Sequence, residues 1–154
     1  MSNALDLRVL GSTGLEVTPL CVGTSPLGNT PLPYARDVPE ADAVATVRRA
    51  MDSPINFLDT GNNYGDAERR IGIVLSERGG IPDGFVLQTK VDRDMDSGDF
   101  SGDRVRRSVE ESLERLGLDR LGLVHPTIPR TSPSRRASRP AGRWRRCRRS
   151  RRRA

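Results

Sequence analysis

Three side chains that could exchange a proton stand at or just after predicted β-strands of this 154-residue chain. Asp59 ends one apolar run, Tyr64 follows five residues later in a loop, and Lys90 ends the next strand candidate. A nearby ammonium stabilises a phenolate, and a carboxylate holds that ammonium charged and in place. The trio therefore predicts a tyrosine that gives or takes a proton near neutral pH.

Each of these residues also has an ordinary structural interpretation. An aspartate at a strand end often caps the next helix or forms an Asx-turn. A tyrosine in a loop rich in glycine and asparagine, such as Tyr64, is often a packing residue, and a lone lysine at a strand end is usually solvated. Residue types and spacing alone leave both interpretations open.

The elements that would position the trio alternate between strands and helices. A hairpin is predicted first, because residues 7–10 and 15–18 flank a Gly-Ser-Thr-Gly turn. The strand candidates that follow are residues 20–23, 55–59, 85–91 and 121–125, and the helix candidates are residues 38–51, 67–77 and 103–116, with Asp103 as N-cap of the last. This alternation predicts a parallel α/β sheet with right-handed crossovers. It does not choose between a small doubly wound sheet and part of a (βα)-barrel.

The charge is divided sharply between two parts of the chain. Residues 1–129 contain all 20 acids and 14 of the 26 bases, whereas residues 130–154 contain 12 arginines and no acid. Nearly all strongly apolar residues precede residue 126, so the remainder cannot bury enough surface to offset its chain entropy. We therefore expect a folded region, residues 1–125, and a disordered arginine-rich tail, residues 126–154.

Composition excludes several classes of protein. The two cysteines, Cys21 and Cys147, do not make a disulfide framework. The longest uncharged stretch, residues 17–35, contains four prolines and is no membrane helix. The N-terminus lacks a signal-peptide core, and the sequence predicts no metal site and no membrane partner. The expected location is cytoplasmic.

Four segments of the sequence resemble the aldo-keto reductase family. They are RVLGSTGLEVT at residues 8–18, FLDTGNNYG at 57–65, TK at 89–90 and SVEESLERLGLDR at 108–120. The likeness runs in order from residue 8 to about residue 125, and it is strongest toward the bacterial sugar and pyridoxal dehydrogenases. It implies a (β/α)8 TIM barrel with a hairpin across its bottom, of which this chain supplies the N-terminal half.

The resemblance also implies an activity. It indicates an NAD(P)(H)-dependent oxidoreductase that interconverts a small carbonyl substrate (an aldehyde, ketone or sugar) and an alcohol. Tyr64 would be the proton donor or acceptor, Lys90 would lower its pKa, and Asp59 would pair with Lys90. The residues expected to contact the NADP or NAD cofactor are Gly23, Thr24, Ser25 and Asp59.

The likeness stops abruptly after His125. The family's catalytic histidine would fall at Thr127, so His125 is expected to be an interior-facing strand residue. Inserting one T nucleotide into codons that encode residues 125–129 makes them read His-Leu-His-Asp-Pro, which is the family's sequence. We therefore hypothesise a frameshift near codon 126. In the family the cofactor's phosphate end is held by segments after the later strands. We therefore expect this truncated chain to be inactive and to misfold or aggregate.

The arginine-rich tail supports a second hypothesis. Twelve arginines within 25 residues would bind nucleic-acid phosphates non-specifically through counterion release. Trp144 adds one ring that would stack on a base. A third hypothesis is that two half-barrels dimerise into a quasi-barrel, which would bury both edges of each sheet.

Overall fold

A hairpin followed by alternating strands and helices forms the part of the chain that the computed structural model describes, residues 5–30 and 37–127. The elements are β1 (Arg8–Val9), β2 (Glu16–Val17), β3 (Val22–Gly23), α1 (Glu40–Met51), β4 (Phe57–Asp59), α2 (Ala67–Arg78), β5 (Val86–Val91), α3 (Gly102–Leu116) and β6 (Leu123–Pro126), with a short 3-10 turn at Ser25–Leu27. The order predicted from the sequence is confirmed. The predicted disordered tail begins at residue 126. Its residues beyond Thr127, which include Trp144 and Cys147, lie outside the described residues.

The strands form two sheets. β1 and β2 pair antiparallel, as the predicted hairpin requires. β3, β4, β5 and β6 form a parallel sheet in sequence order, and the three helices share one apolar core with that sheet. Sequential order with helices in one layer belongs to a singly wound sheet, not a doubly wound one. The described residues thus form a partial, open sheet of the TIM-barrel type rather than a closed barrel.

The core lies between the sheet and its helices. Leu58 of β4 and Leu87 of β5 are neighbours in register and are at most 3% exposed. The helical side chains packed in the same buried cluster are Val44, Val47, Met51, Ile71, Val74, Leu75 and Leu116. Because side chains alternate along a strand, burying Leu58 and Leu87 turns Asp59 and Gln88 to the opposite face. This alternation places the polar groups away from the helices.

Two helix starts differ from the sequence-based predictions. α1 begins at Glu40 rather than at residue 38, because Pro39 is extended, with ψ of 143°, and disfavours helical geometry in the residue before it. α3 begins at Gly102, and its N-cap is Ser101, whose hydroxyl accepts a hydrogen bond from the Arg104 amide at 3.3 Å. The prediction of Asp103 as N-cap is therefore wrong. Asp103 lies in the first turn, where its charge suits the helix dipole.

Asn56 attaches the hairpin to the parallel sheet. Its side-chain oxygen accepts from the Thr18 amide at 2.7 Å, and its amide donates to the carbonyls of Glu16 and Gly84 at 3.0 and 2.8 Å. Asn56 immediately precedes β4, and Gly84 lies two residues before the start of β5. The hairpin therefore lies at the amino ends of the parallel strands and not at their carboxyl ends. No helix in residues 5–30 and 37–127 is long and apolar enough to cross a bilayer.

Replacing Asn56 with alanine is expected to lower the free energy of unfolding by about 1–3 kcal/mol, because three backbone partners lose their hydrogen bonds. Urea denaturation followed by circular dichroism measures this change. Asn56→Asp is the graded control, since it keeps the acceptor for Thr18 and loses both donors. An equal loss for alanine and aspartate would contradict the assigned role of the oxygen.

A partly buried ion pair on α3, between Arg104 and Glu111, predicts that the stability of the fold depends on pH. A hydrogen bond from Arg104, whose side chain is 10% exposed, lowers the pKa of Glu111. A carboxyl whose folded pKa is depressed stabilises the fold above its unfolded pKa of about 4.3, and the contribution is lost as pH falls through the folded pKa. We expect Glu111→Gln to flatten the acid side of the stability curve, whereas the exposed neighbour Glu110→Gln leaves it unchanged. Urea midpoints across acidic to neutral pH provide the measurement.

Candidate active site

Asp59 and Lys90 meet at the carboxyl ends of two adjacent strands. Asp59 ends β4 opposite Gln88 of β5, and Lys90 follows Gln88 by two residues on the same face. The Lys90 ammonium lies 2.6 Å from both carboxylate oxygens of Asp59 and donates to the Thr60 carbonyl at 2.8 Å. The side chains are 18% and 24% exposed, so this ion pair is partly shielded from water.

The Lys90 ammonium is held in its charged form. Burial lowers the pKa of Lys90, but hydrogen bonding to Asp59 and the attraction of Tyr64 outweigh burial, so the pKa lies above its ordinary value. Lys90 is the single lysine of the sequence. The site therefore carries one fixed, compact positive charge next to the tyrosine.

Tyr64 approaches this charge from the loop after β4. The Lys90 nitrogen lies 4.6 Å from the centre of the Tyr64 ring, within the range of a cation–π interaction. Gly61 leaves room beneath the ring, since a Cβ added there would lie 3.3 Å from three ring carbons. The structure thus brings together the carboxylate, the ammonium and the phenol that the sequence singled out.

The residues predicted to contact the cofactor lie next to the trio at the end of β3. Gly23 is the register neighbour of Asp59 and is exposed, and a Cβ added to Gly23 would meet nothing within 4 Å. Thr24 is fully buried, and its hydroxyl and amide both donate to the Asp59 carbonyl at 3.0 and 2.9 Å. Ser25 is half-buried at the start of the following turn. Gly23 thus faces open space, and Thr24 links β3 to β4.

An open cavity of about 370 Å³ marks the mouth of the site. Its lining residues are Asn63, Tyr64, Lys90, His125, Pro126 and Thr127. His125 is exposed and pairs in register with Lys90, so it lies at the level of the ion pair.

Sequence reasoning missed Gln88. The Gln88 side-chain amide donates at 2.7 Å to Oδ1 of Asp59, the oxygen that Lys90 also contacts, and so helps to fix the carboxylate. The signal was present in the sequence, because strand alternation puts residue 88 on the same face as residue 90.

The family of the chain follows from comparison with known proteins. The profile of the "Aldo/keto reductase family" matches residues 19–132, which include Asp59, Tyr64 and Lys90. The chain belongs to this family of oxidoreductases. Among curated relatives of this aldo/keto reductase, L-galactose dehydrogenase of Arabidopsis thaliana is 43% identical over 123 residues, covering 79% of this chain and 37% of the relative. Pyridoxal 4-dehydrogenase of Microbacterium luteolum is 34% identical over 153 residues, covering 79% of this chain and 43% of the relative.

Solved structures give the same assignment. An aldo-keto reductase from Pseudomonas aeruginosa superposes with a TM-score of 0.64 at 39% identity, covering 78% of this chain and 45% of that chain. The aldo/keto reductase chain described here spans about two fifths of the length of the curated relatives named above. Its described strands therefore correspond to part of the architecture of those proteins.

Proposed function

We propose that this chain carries the proton-transfer site of an NAD(P)(H)-linked oxidoreductase that interconverts a carbonyl compound and an alcohol. The observation that supports the proposal best is the Lys90 ammonium, 2.6 Å from Asp59 and 4.6 Å from the centre of the Tyr64 ring. A positive charge beside a phenol favours the phenolate and thus makes proton exchange at its oxygen easier. Tyr64 gives a proton to the carbonyl oxygen in reduction and takes one from the hydroxyl in oxidation.

The roles of the other residues follow from their positions. Asp59, which accepts a hydrogen bond from Gln88, holds the Lys90 ammonium in place. The positive charge of Lys90 thus stays close to Tyr64. The backbone of Gly23 leaves open space next to Asp59, so Gly23 and Ser25 would hold the nicotinamide end of NADP or NAD. When bound, that cofactor supplies the hydride.

The substrate class is proposed from the relatives and the cavity. The relatives are named for L-galactose and pyridoxal, both small polar molecules that bear hydroxyl groups. The cavity beside Tyr64 is open and of a size for molecules of that kind. We propose a small carbonyl compound or alcohol as the substrate.

A chimera tests the proposal. Residues 1–125 of this chain are fused to the part of Arabidopsis L-galactose dehydrogenase that lies beyond its matched segment, so that a complete set of strands surrounds the site. We expect nicotinamide-linked turnover of a sugar, an aldehyde or pyridoxal by the chimera, measured by cofactor absorbance, and none by the 154-residue chain alone. A folded chimera that turns over none of these compounds with NAD or NADP would contradict the proposal.

A further inference from the structure

Two loops at the carboxyl ends of β3 and β4 touch through their backbones. The 3-10 turn after β3 is followed by Gly28, and the loop after β4 contains Tyr64 and Gly65. The Asp66 amide donates to the Gly28 carbonyl at 2.9 Å. The loop that carries Tyr64 is therefore held by a neighbouring loop as well as by its own strand.

The contact between the loops leaves no room for side chains. A Cβ added to Gly28 would lie 1.6 Å from the Tyr64 carbonyl oxygen, and a Cβ added to Gly65 would lie 2.1 Å from the Gly28 carbonyl oxygen. Gly65 also has φ of +54°, which disfavours other residues. Both loops need glycine at this point, because only bare backbones approach so closely.

Arg70 of α2 stabilises the same contact by a side-chain hydrogen bond. Its side chain is 4% exposed, and its guanidinium donates to the Leu27 carbonyl, one residue before Gly28. Just after β3, Thr24 donates twice to the Asp59 carbonyl. The short segment of residues 24–28 is thus held at Thr24 by Asp59 and at Leu27 and Gly28 by Arg70 and Asp66.

We propose that this contact, formed by Gly28, Gly65, Asp66 and Arg70 and called here the loop clamp, positions Tyr64 over Lys90. The inference rests on the function proposed above, in which Tyr64 exchanges the proton. Gly28 and Arg70 are positioning residues in this scheme, since they act on Tyr64 through its backbone.

The geometry gives the clamp a measurable consequence. A side chain at Gly28 forces the Tyr64 carbonyl away, because Cβ atoms essentially never lie within 3.0 Å of a backbone atom. Moving the Tyr64 backbone withdraws the ring from the Lys90 ammonium, which it now faces at 4.6 Å. Since Tyr64 helps to raise the pKa of Lys90, the titration of Lys90 reports the position of Tyr64 without any cofactor or turnover.

The test is an NMR titration of the 154-residue chain with isotope-labelled lysine, which gives one lysine side-chain signal. Gly28→Ala is expected to lower the pKa of Lys90 by at least half the shift that Tyr64→Phe produces. The double variant is expected to show no larger shift than Tyr64→Phe alone. Gly102→Ala is the matched control, because a Cβ at Gly102 meets nothing within 4 Å, and it should leave the titration unchanged.

Arg70 supplies a second pair of variants. Arg70→Met removes the donor to Leu27 and is expected to lower the pKa of Lys90. Arg70→Lys keeps a cationic donor, so the pKa of Lys90 is expected to stay close to that in the unaltered chain. A folded Gly28→Ala or Arg70→Met variant with the Lys90 titration of the unaltered chain would overturn the clamp. If the variants do not fold, hydrogen exchange in the unaltered chain decides: a protected Asp66 amide supports the clamp, and a freely exchanging one refutes it.

The outcome is separable from that of the proposed function. A chimera whose turnover depends on Tyr64, combined with unchanged Lys90 titrations, would refute the clamp alone. A chimera indifferent to Tyr64 would refute the proposed function, whatever the Lys90 signal shows.

Discussion

Tyr64→Phe in the chimera is expected to lower kcat about 100-fold to 10,000-fold, the range typical of losing a general acid or base. The phenylalanine ring keeps the packing over Gly61 and loses only the hydroxyl to which we assign the proton exchange in the proposed function. KM should change far less than kcat, because the lost interaction belongs to the transition state. Steady-state kinetics in both reaction directions provide the measurement.

Two further variants separate catalysis from folding in this prediction. Gly102→Ala adds a methyl group that would meet nothing within 4 Å, and it should leave kcat unchanged. Lys90→Met should lower kcat by a factor similar to that of Tyr64→Phe. The double variant should lower kcat by much less than the product of the two factors, since the residues act as a unit. Full multiplicativity, or a Tyr64→Phe chimera with unaltered kcat, would contradict the assigned roles.

The convergence of Asp59 and Lys90 was accessible from the sequence, for a simple geometric reason. Parallel strands present their carboxyl ends at one edge, and residues two apart share a face, so two polar residues ending neighbouring strands must meet. The same reasoning accounts for the agreement on the hairpin and on the order of strands and helices. The periodicity of apolar residues is a local property, so a short window of sequence is enough to detect it.

Other features depended on contacts between distant residues. The N-cap of α3 is Ser101, two residues before the predicted Asp103, because the backbone is extended at Ser101, with ψ of 165°, and helical from Gly102 onward. The choice of a singly wound sheet was equally hidden, because any single strand–helix–strand unit fits both architectures. That choice is made by how α1, α2 and α3 pack against one another and the sheet.

The loop clamp had no local signature at all. Gly28 lies in a loop rich in proline, and Gly65 lies in a loop with two asparagines and a second glycine, so glycine is ordinary in both. Their importance comes from a close backbone approach between residues 37 positions apart, a tertiary fact that no window of sequence contains. The proximity of Asp59 and Lys90 was thus easier to predict than the contact that holds the loop of Tyr64.

Leu58→Ala is expected to lower the free energy of unfolding by about 2–5 kcal/mol, a large share of the stability of a small domain. Leu58 is fully buried at the centre of the cluster that joins β4 and β5 to the helices. Leu20→Ala is the matched control, because Leu20 is 57% exposed and its truncation should change stability little. Urea denaturation of both variants, followed by circular dichroism, measures the difference.

The same variant tests whether stability and chemistry lie on opposite faces of β4. Leu58 faces the helices, and Asp59, the next residue, faces Lys90. In the fraction of Leu58→Ala that stays folded, the pKa of Lys90 should therefore remain raised, because its partners Asp59 and Tyr64 are untouched. A Lys90 pKa that falls in Leu58→Ala as it does in Tyr64→Phe would show that the core, and not the clamp alone, sets the geometry of the site.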